Sequence, residues 1–176
     1  MIIVGLDPGL HGAIAVHSTQ NAAELITWDI PSLTVTKRGK KTGKGLEVDW
    51  YRYISILETV AKIGPGLAIV ELVGPMRSPG GQVQGVGSAF TFGKVSGGQD
   101  QLLQYILKCR TVHPTPATWK RVMKVGTQDD DIYRRACELF PSARAAFAGP
   151  RGGVRDGICE AAMLAKYGEH ILANGE

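Results

Sequence analysis

The sequence predicts an α/β fold in which a mixed five-stranded sheet, a three-strand antiparallel meander plus parallel strands, is flanked by helices. Three short apolar runs separated by turn residues fill the first 30 residues, a pattern typical of an antiparallel meander. Beyond residue 48, apolar runs alternate with stretches of helical periodicity, as in parallel β–α–β units. The sequence contains no internal repeat, which excludes a repeat architecture.

The meander strands are predicted from residues 1–7, 12–18 and 23–30. The first of them, MIIVGLD, is apolar until it ends in Asp7, where the turn Asp7-Pro8-Gly9 separates it from the second strand. The segment that follows the meander, residues 35–47, holds five basic side chains and three glycines but little to bury. We expect it to be a mobile loop.

A helix and an interior strand are predicted next. Apolar side chains recur at helical spacing between residues 48 and 63, and a Gly-Pro-Gly sequence ends the pattern. The apolar positions of this helix are Tyr51, Ile54, Leu57 and Val60 or Ala61. The run LAIVELV at 67–73 is apolar on both faces, so we expect it inside the sheet.

The rest of the chain predicts one more strand among helices. Residues 74–97 are rich in glycine and contain no acid, which indicates a flexible loop running into a helix near 96–108. A short strand at 109–113 then precedes a helix that begins at Thr115-Pro116. Two further helices are predicted at 129–140 and from Val154 to about Leu172.

Composition indicates one domain that covers residues 1–176. With 44% hydrophobic residues the chain can bury a core, and no stretch reaches the roughly 18 to 20 apolar residues of a membrane span. The first residues show no signal-peptide pattern, so we expect a cytoplasmic protein. The three cysteines lack metal-ligand spacing and are expected to be reduced. A net charge of +4 favours a polyanionic partner.

Four carboxylates carry the chemical signal. Asp7 ends one apolar strand and Glu71 lies inside another, where an ionised acid is costly unless it is paired, hydrogen-bonded or bound to a metal. Asp156 and Glu160 share a helical face, and like charges at that spacing repel unless a cation lies between them. Each acid alone has an ordinary explanation, such as an Asx turn, an ion pair or a helix cap.

Taken together, the four acids predict a divalent-metal site. Oxygen ligands from several elements suit Mg²⁺, with Mn²⁺ as a substitute. Two such ions about 4 Å apart can activate a water and stabilise the leaving oxygen in phosphodiester hydrolysis. We therefore expect a nuclease with two ions per active site, leaving 5′-phosphate and 3′-hydroxyl ends.

Motifs along nearly the whole chain resemble the RuvC-type Holliday junction resolvases, particularly the divergent ones of phages. The matching segments are IIVGLDPGLHGAIAV, LAIVELV, VHPTPATWK, ELFP and DGICEAAMLAKYG. The resemblance implies a ribonuclease-H-like fold and a homodimer that resolves four-way or branched DNA by paired symmetric nicks. The glycine-rich segment 80–98 is a candidate dimer interface.

The resemblance also assigns roles to individual residues. It makes Asp7 the first metal ligand and Glu71 the acid of the central strand, while Asp156 and Glu160 become the closing acids on the last helix. Lys120 is similar to a basic residue that these enzymes place near the scissile phosphate.

The chain differs from the bacterial members in three ways. Their last two site residues are three apart and usually end on Asp, whereas Asp156 and Glu160 are four apart. They carry an aromatic residue where this chain has Gly74. Phe90 or Phe92 could replace that aromatic residue, or both could belong to the core. The basic segment 37–44 resembles an insertion.

Basic residues are candidate DNA contacts. The densest cluster is Lys37, Arg38, Lys40, Lys41 and Lys44, and further candidates are Arg77 and Lys94. Such a cluster can be an ordinary solvated loop, or it can follow a phosphate backbone and order on binding.

Two other functions remain open from the sequence. A nuclease that processes structured RNA would use the same acids, and a non-catalytic module would bind branched DNA with or without metal. The actin-like sugar kinases share a similar first loop but need two such domains, and this chain has room for one.

Overall fold

The computed structural model describes residues 1–37, 43–74, 85–126, 128, 130–150 and 152–175. Its strands are β1 (Ile2–Asp7), β2 (Ala13–Ser18), β3 (Asn21–Asp29), β4 (Ser32–Lys37), β5 (Gly43–Val48), β6 (Leu67–Val70) and β7 (Arg110–Val112). Its α-helices are α1 (Trp50–Ala61), α2 (Val86–Leu107), α3 (Pro116–Val122), α4 (Asp131–Leu139) and α5 (Asp156–Asn174), and a 3₁₀ helix spans Pro141–Phe147.

The main sheet in the described part of the chain has five strands in the order β3-β2-β1-β6-β7. The first three strands of the sequence pair antiparallel, and β1, β6 and β7 pair parallel. This arrangement confirms the predicted mixed sheet with its meander. Parallel register pairs Leu6 with Val70, so Asp7 and Glu71 leave neighbouring strands at the same edge.

Helices cover both faces of the sheet. Helix α5 packs on one face against Ile3, Leu67 and Ile69, whereas α1 and α2 pack on the other face against Val4 and Leu6. Because side chains alternate between faces along a strand, the residues that follow Leu6 and Val70 return to the α5 face. Both strand acids therefore lie on the side of the sheet that carries α5.

Helix α5 contacts β1 backbone to backbone. A Cβ atom on Gly5 would lie 2.0 Å from the Ala161 carbonyl oxygen and 2.6 Å from the Ala165 nitrogen. On the facing side, a Cβ on Gly168 would lie 2.6 Å from the Ile3 Cγ2 atom. No larger side chain fits between the two elements, so the contact fixes the position of α5 along β1.

In the basic segment 35–47, the described residues 35–37 and 43–47 form strands, where composition predicts a loop. Strands β4 and β5 pair antiparallel from Ser32 with Val48 to Lys37 with Gly43, forming a separate two-stranded hairpin. Runs of β-branched residues such as Thr34-Val35-Thr36 favour strands even where little is buried. Residues 38–42 of the predicted loop lie outside the described residues.

Helix α2 begins earlier than predicted, at Val86 instead of near residue 96. Its glycines do not prevent helix formation, because packing against α1 supports the helix. A Cβ on Gly98 would lie 3.0 Å from the Trp50 ring, so this glycine permits the close approach of the two helices. The segment between Gly74 and the start of α2 is only partly described, with residues 75–84 outside the described residues.

Two other details of the sequence prediction were wrong. Tyr51, predicted on the apolar face of α1, is 89% exposed, and Tyr53 is buried there instead, beside Leu57 and Val60, whose burial confirms the prediction. Tyr53 can be buried because its hydroxyl donates to a backbone carbonyl of α2. The strand predicted at 67–73 ends at Val70, so Glu71 follows the strand.

Two expectations from composition can be compared with the fold. The cysteines are free thiols, and Cys159 is buried in α5. Within the described ranges, none of the helices has both the length and the apolar character needed to span a bilayer.

The contact between β1 and α5 gives a stability prediction. Gly5→Ala should lower the free energy of unfolding by about 3 kcal/mol, because the new methyl overlaps backbone atoms that cannot move alone. Urea denaturation measures the change. Gly93→Ala is the matched control, because a Cβ there meets nothing within 4 Å, and alanine should stabilise α2 by about 1 kcal/mol. Equal stability of the two variants would contradict the proposed constraint.

Candidate active site

A cleft of about 560 Å³ lies where β1 and β6 end. One side of it carries the four predicted acids, Asp7, Glu71, Asp156 and Glu160. The other side is formed mainly by α2 and is largely apolar, with Phe92 and Val95 in the wall. The carboxylates therefore face a wall whose α2 residues carry no positive charge.

Asp7 is the acid most affected by this surrounding. Burial, together with the negative charges of Glu160 and Glu71, raises the pKa of Asp7 to about 8, while Lys120 opposes this shift. Burial also raises the pKa of Glu71, with Glu160 adding to the effect. The negative charge of Glu160 thus acts on both strand acids, and a nearby cation would favour the ionised forms of Asp7 and Glu71.

Helix α3 supplies a polar partner to two of these acids. The Trp119 indole N–H donates to Glu71 Oε1 at 2.8 Å, and the Lys120 ammonium donates to Glu160 Oε1 at 2.7 Å. The helix starts in a fixed position because the Thr115 hydroxyl caps the Thr118 N–H and Pro116 follows at the first helical position. Two adjacent residues of one short helix therefore contact acids from different elements.

The remaining predicted acid stands apart from this group. Asp156 is the first residue of α5 and is exposed. It lines the main cleft together with Glu160, and both also line a second cleft next to Lys120. The structure therefore brings together Asp7, Glu71, Glu160 and Lys120. Asp156 lies on α5 one helical turn before Glu160.

The donor set is chemically suited to Mg²⁺ or Mn²⁺, because it consists of carboxylate oxygens in one cleft. As the side chains stand, no three His, Cys, Asp or Glu residues of the described ranges converge to hold one ion. Two acid oxygens accept hydrogen bonds from Trp119 and Lys120 instead. A cation could be held by Asp7, Glu71 and Glu160 after their side chains turn toward a common point.

The turn after Asp7 is held by a buried amide from α2. The Gly9 N–H donates to Gln99 Oε1 at 2.8 Å, and Gln99 Nε2 donates back to the Gly9 carbonyl at 3.2 Å. The Tyr53 hydroxyl donates to the Gln99 carbonyl at 2.9 Å. Gly9 has φ +141°, which side-chain-bearing residues rarely adopt. This network fixes the backbone that follows Asp7.

Close packing also fixes the other side of the turn. A Cβ on Gly12 would lie 2.0 Å from the Asp7 carbonyl oxygen, and a Cβ on Gly157 would lie 2.4 Å from the His11 carbonyl oxygen. The first turn of α5 therefore touches the loop that follows β1. This contact keeps Asp156 and Glu160 close to Asp7.

Sequence reasoning missed Trp119 and Gln99. Trp119 precedes Lys120 in the TWK segment, and a tryptophan at this position is equally typical of a core residue. Gln99 could have been noticed because it interrupts an otherwise apolar helix face between Val95 and Leu103. A fully buried polar side chain at such a position requires hydrogen-bond partners, and the turn at Gly9 supplies them.

The candidate DNA contacts are only partly described. Lys44 is exposed on β5 and Lys94 is exposed on α2, while Lys37 belongs to β4 without a described side chain. The positions outside the described residues are Arg38, Lys40, Lys41 and Arg77. Of the candidate aromatics, Phe92 lines the cleft and Phe90 is 74% exposed.

Comparison with solved structures identifies the fold. The Thermus thermophilus RuvC structure matches with a TM-score of 0.56 and 9% identity, covering 99% of this chain and 97% of that one. T. thermophilus RuvC in complex with a Holliday junction substrate matches with a TM-score of 0.57, 10% identity and the same coverage. The chain has the RuvC-like ribonuclease-H-like fold. This finding confirms the fold class that the sequence predicts.

The remaining comparisons add little to the fold. The fowlpox virus Holliday junction resolvase is 14% identical, covers 98% of this chain and 99% of its own, and gives a TM-score of 0.47. No protein-family model matches the sequence, and no curated protein is significantly similar to it. The roles of the individual site residues stay predictions.

The raised pKa of Asp7 gives a stability prediction. Between its ordinary pKa of 3.8 and about 8, the unfolded chain releases a proton that the folded protein retains, so wild-type stability falls as pH rises through this window. Asp7→Asn avoids this loss. In buffer with a chelator, the stability of the variant relative to the wild type should rise by about 4 kcal/mol from pH 5 to pH 8.

Urea denaturation at the two pH values measures this difference. Asp131→Asn is the matched control, because the Gln128 N–H and Arg134 lower the pKa of Asp131. That variant should lose stability at neutral pH. A constant difference between Asp7→Asn and the wild type at both pH values would contradict the burial-driven shift.

Proposed function

We propose that this chain is a divalent-metal-dependent endodeoxyribonuclease that resolves Holliday junctions and other branched DNA. The observation that carries the proposal is the group of Asp7, Glu71 and Glu160 in one cleft, where burial and neighbouring negative charge raise the pKa of Asp7 and of Glu71. A structural core does not require three interacting carboxylates, whereas phosphodiester hydrolysis with Mg²⁺ or Mn²⁺ does.

Each residue of the group has a role in this proposal. Asp7, Glu71 and Glu160 would hold the ions, with Asp156 contributing from the start of α5. When bound, the ions would polarise the phosphodiester and promote deprotonation of the attacking water. Lys120 would contact the phosphate, since its ammonium already lies beside Glu160. Trp119 keeps Glu71 oriented through its indole N–H.

The substrate class is inferred from charge and from the fold neighbours. The chain has a net charge of +4, and the hairpin of β4 and β5 carries basic residues, including exposed Lys44, outside the main sheet. Such an arm is suited to contacts with a phosphate backbone. The T. thermophilus RuvC neighbour in complex with a Holliday junction substrate supports four-way DNA as the substrate.

A homodimer is part of the same proposal. Resolving a four-way junction requires two cuts at symmetric positions, and two active sites related by a two-fold axis provide them. Magnesium, two ions per site and paired nicking are the parts of the proposal that experiments must test directly.

The acids give the first functional prediction. Asp7→Asn, Glu71→Gln and Glu160→Gln should each lower the rate of junction cleavage at least about a hundredfold, because each removes a ligand charge. Asp156→Asn should lower it less. In the absence of divalent metal, binding of a labelled four-way junction should stay near the wild-type level. Gel-based cleavage and binding assays measure the two effects.

The matched control is Glu58→Gln, an acid exposed on the surface of α1, and it should leave cleavage unchanged. If an amide variant at position 7, 71 or 160 cleaves like the wild type, that residue does not belong to the catalytic group.

Cleavage of a supercoiled cruciform plasmid separates a resolvase from a general nuclease. With Mg²⁺ or Mn²⁺, a dimer should produce linear DNA within one binding event, since both nicks fall in one complex. Ca²⁺ should support binding with little cleavage because it accepts looser coordination. Nicked circles that become linear only after rebinding would argue against the dimer, and equal cutting of duplex DNA or structured RNA would favour a general or RNA-processing nuclease.

A further inference from the structure

The ion pair between Lys120 and Glu160 lies at the boundary between two clefts. The Lys120 Nζ atom is 2.7 Å from Glu160 Oε1, and the side chains are 37% and 23% exposed. Glu160 lines both the main cleft and the second cleft, of about 580 Å³, whereas Lys120 lines the second one. The ion pair therefore lies where the two clefts meet.

The charge of Lys120 also acts beyond its direct partner. It lowers the pKa of both Asp7 and Glu71, opposing the effect of burial on each. Its ammonium lies 5.1 Å from the centre of the Trp119 ring, which provides a second favourable contact. In the metal-free protein, Lys120 thus partly neutralises the whole group of acids.

We propose that Lys120 is the resident counter-cation of the acid group, bound to Glu160 in the metal-free protein and displaced when a divalent cation binds. This inference rests on the proposed function, because it assumes that the acids bind Mg²⁺ or Mn²⁺. A carboxylate oxygen that accepts a hydrogen bond from an ammonium is not free for a metal, and the two positive charges repel each other. Metal binding therefore has to overcome the ion pair.

Displacement links metal binding to substrate binding. The released ammonium can turn into the second cleft, where a DNA phosphate would give it a new partner. A phosphate in that position would lower the cost of separating Lys120 from Glu160, so DNA would raise metal affinity and metal would raise DNA affinity by the same factor. The metal-free protein would bind divalent cations weakly until substrate arrives.

Calorimetric titration of DNA-free protein with Mn²⁺ tests the proposal. Lys120→Met keeps the length of the side chain but removes its charge, so it should bind Mn²⁺ about tenfold more tightly than the wild type. Lys120→Gln should behave similarly. Lys120→Arg keeps the charge and should bind Mn²⁺ like the wild type. A residue that merely supports the local structure would give weaker Mn²⁺ binding when replaced, the opposite direction.

A parallel titration separates this inference from the proposed function. If wild-type Mn²⁺ binding is lost in Asp7→Asn but is unchanged or weaker in Lys120→Met, the acids bind metal and the counter-cation proposal is wrong. If neither the wild type nor Lys120→Met binds Mn²⁺, both the metal site and the counter-cation proposal fail. Thermal unfolding of each variant without metal confirms that the proteins compared are folded.

The coupling to DNA gives a second arm of the same experiment. Ca²⁺ titrations with and without a four-way junction should show that DNA raises the cation affinity of the wild type more than that of Lys120→Met. Equal enhancement in both proteins would show that Lys120 does not link the two binding events.

Discussion

The backbone contact between β1 and α5 is the constraint on which the rest of the site depends. Gly5 has no side chain, and the carbonyl of Ala161 occupies the space that a Cβ would need. Because Glu160 is the neighbour of Ala161, the same contact brings its carboxylate to the end of the strand that carries Asp7. A helix placed one side-chain layer farther away would leave the two acids too distant to influence each other.

The site is costly to the fold, and the surrounding contacts offset that cost. Burial beside two other acids raises the pKa of Asp7 to about 8, which means that its ionised form is disfavoured in the folded protein. Gln99 holds the turn after β1 through its hydrogen bond with Gly9. Trp119 holds the Glu71 side chain through its indole N–H. The group of acids thus lowers the stability of the fold but favours the binding of positive charge, as is common at catalytic centres.

Much of this arrangement could be predicted from the sequence, and the reason is periodicity. The meander, the interior strand at 67–70 and the alternation of faces follow from apolar patterns, and they bring Asp7 and Glu71 to one edge. The hairpin of β4 and β5 could not be predicted from composition, since its strands bury little. The role of Trp119 also escaped prediction, because a hydrogen bond between residues 71 and 119 depends on how α3 packs and has no local signature.

The parallel register of β1 and β6 restricts where residues can be inserted in the chain. Insertion of a single residue within either strand would turn its terminal acid to the opposite face, where α1 and α2 would bury it without a partner. Insertions between the elements carry no such consequence, because a loop can lengthen at a modest entropic cost. Length changes are therefore expected in the connections, such as the basic hairpin, while the count of residues from Ile2 to Asp7 and from Leu67 to Glu71 is held fixed by geometry.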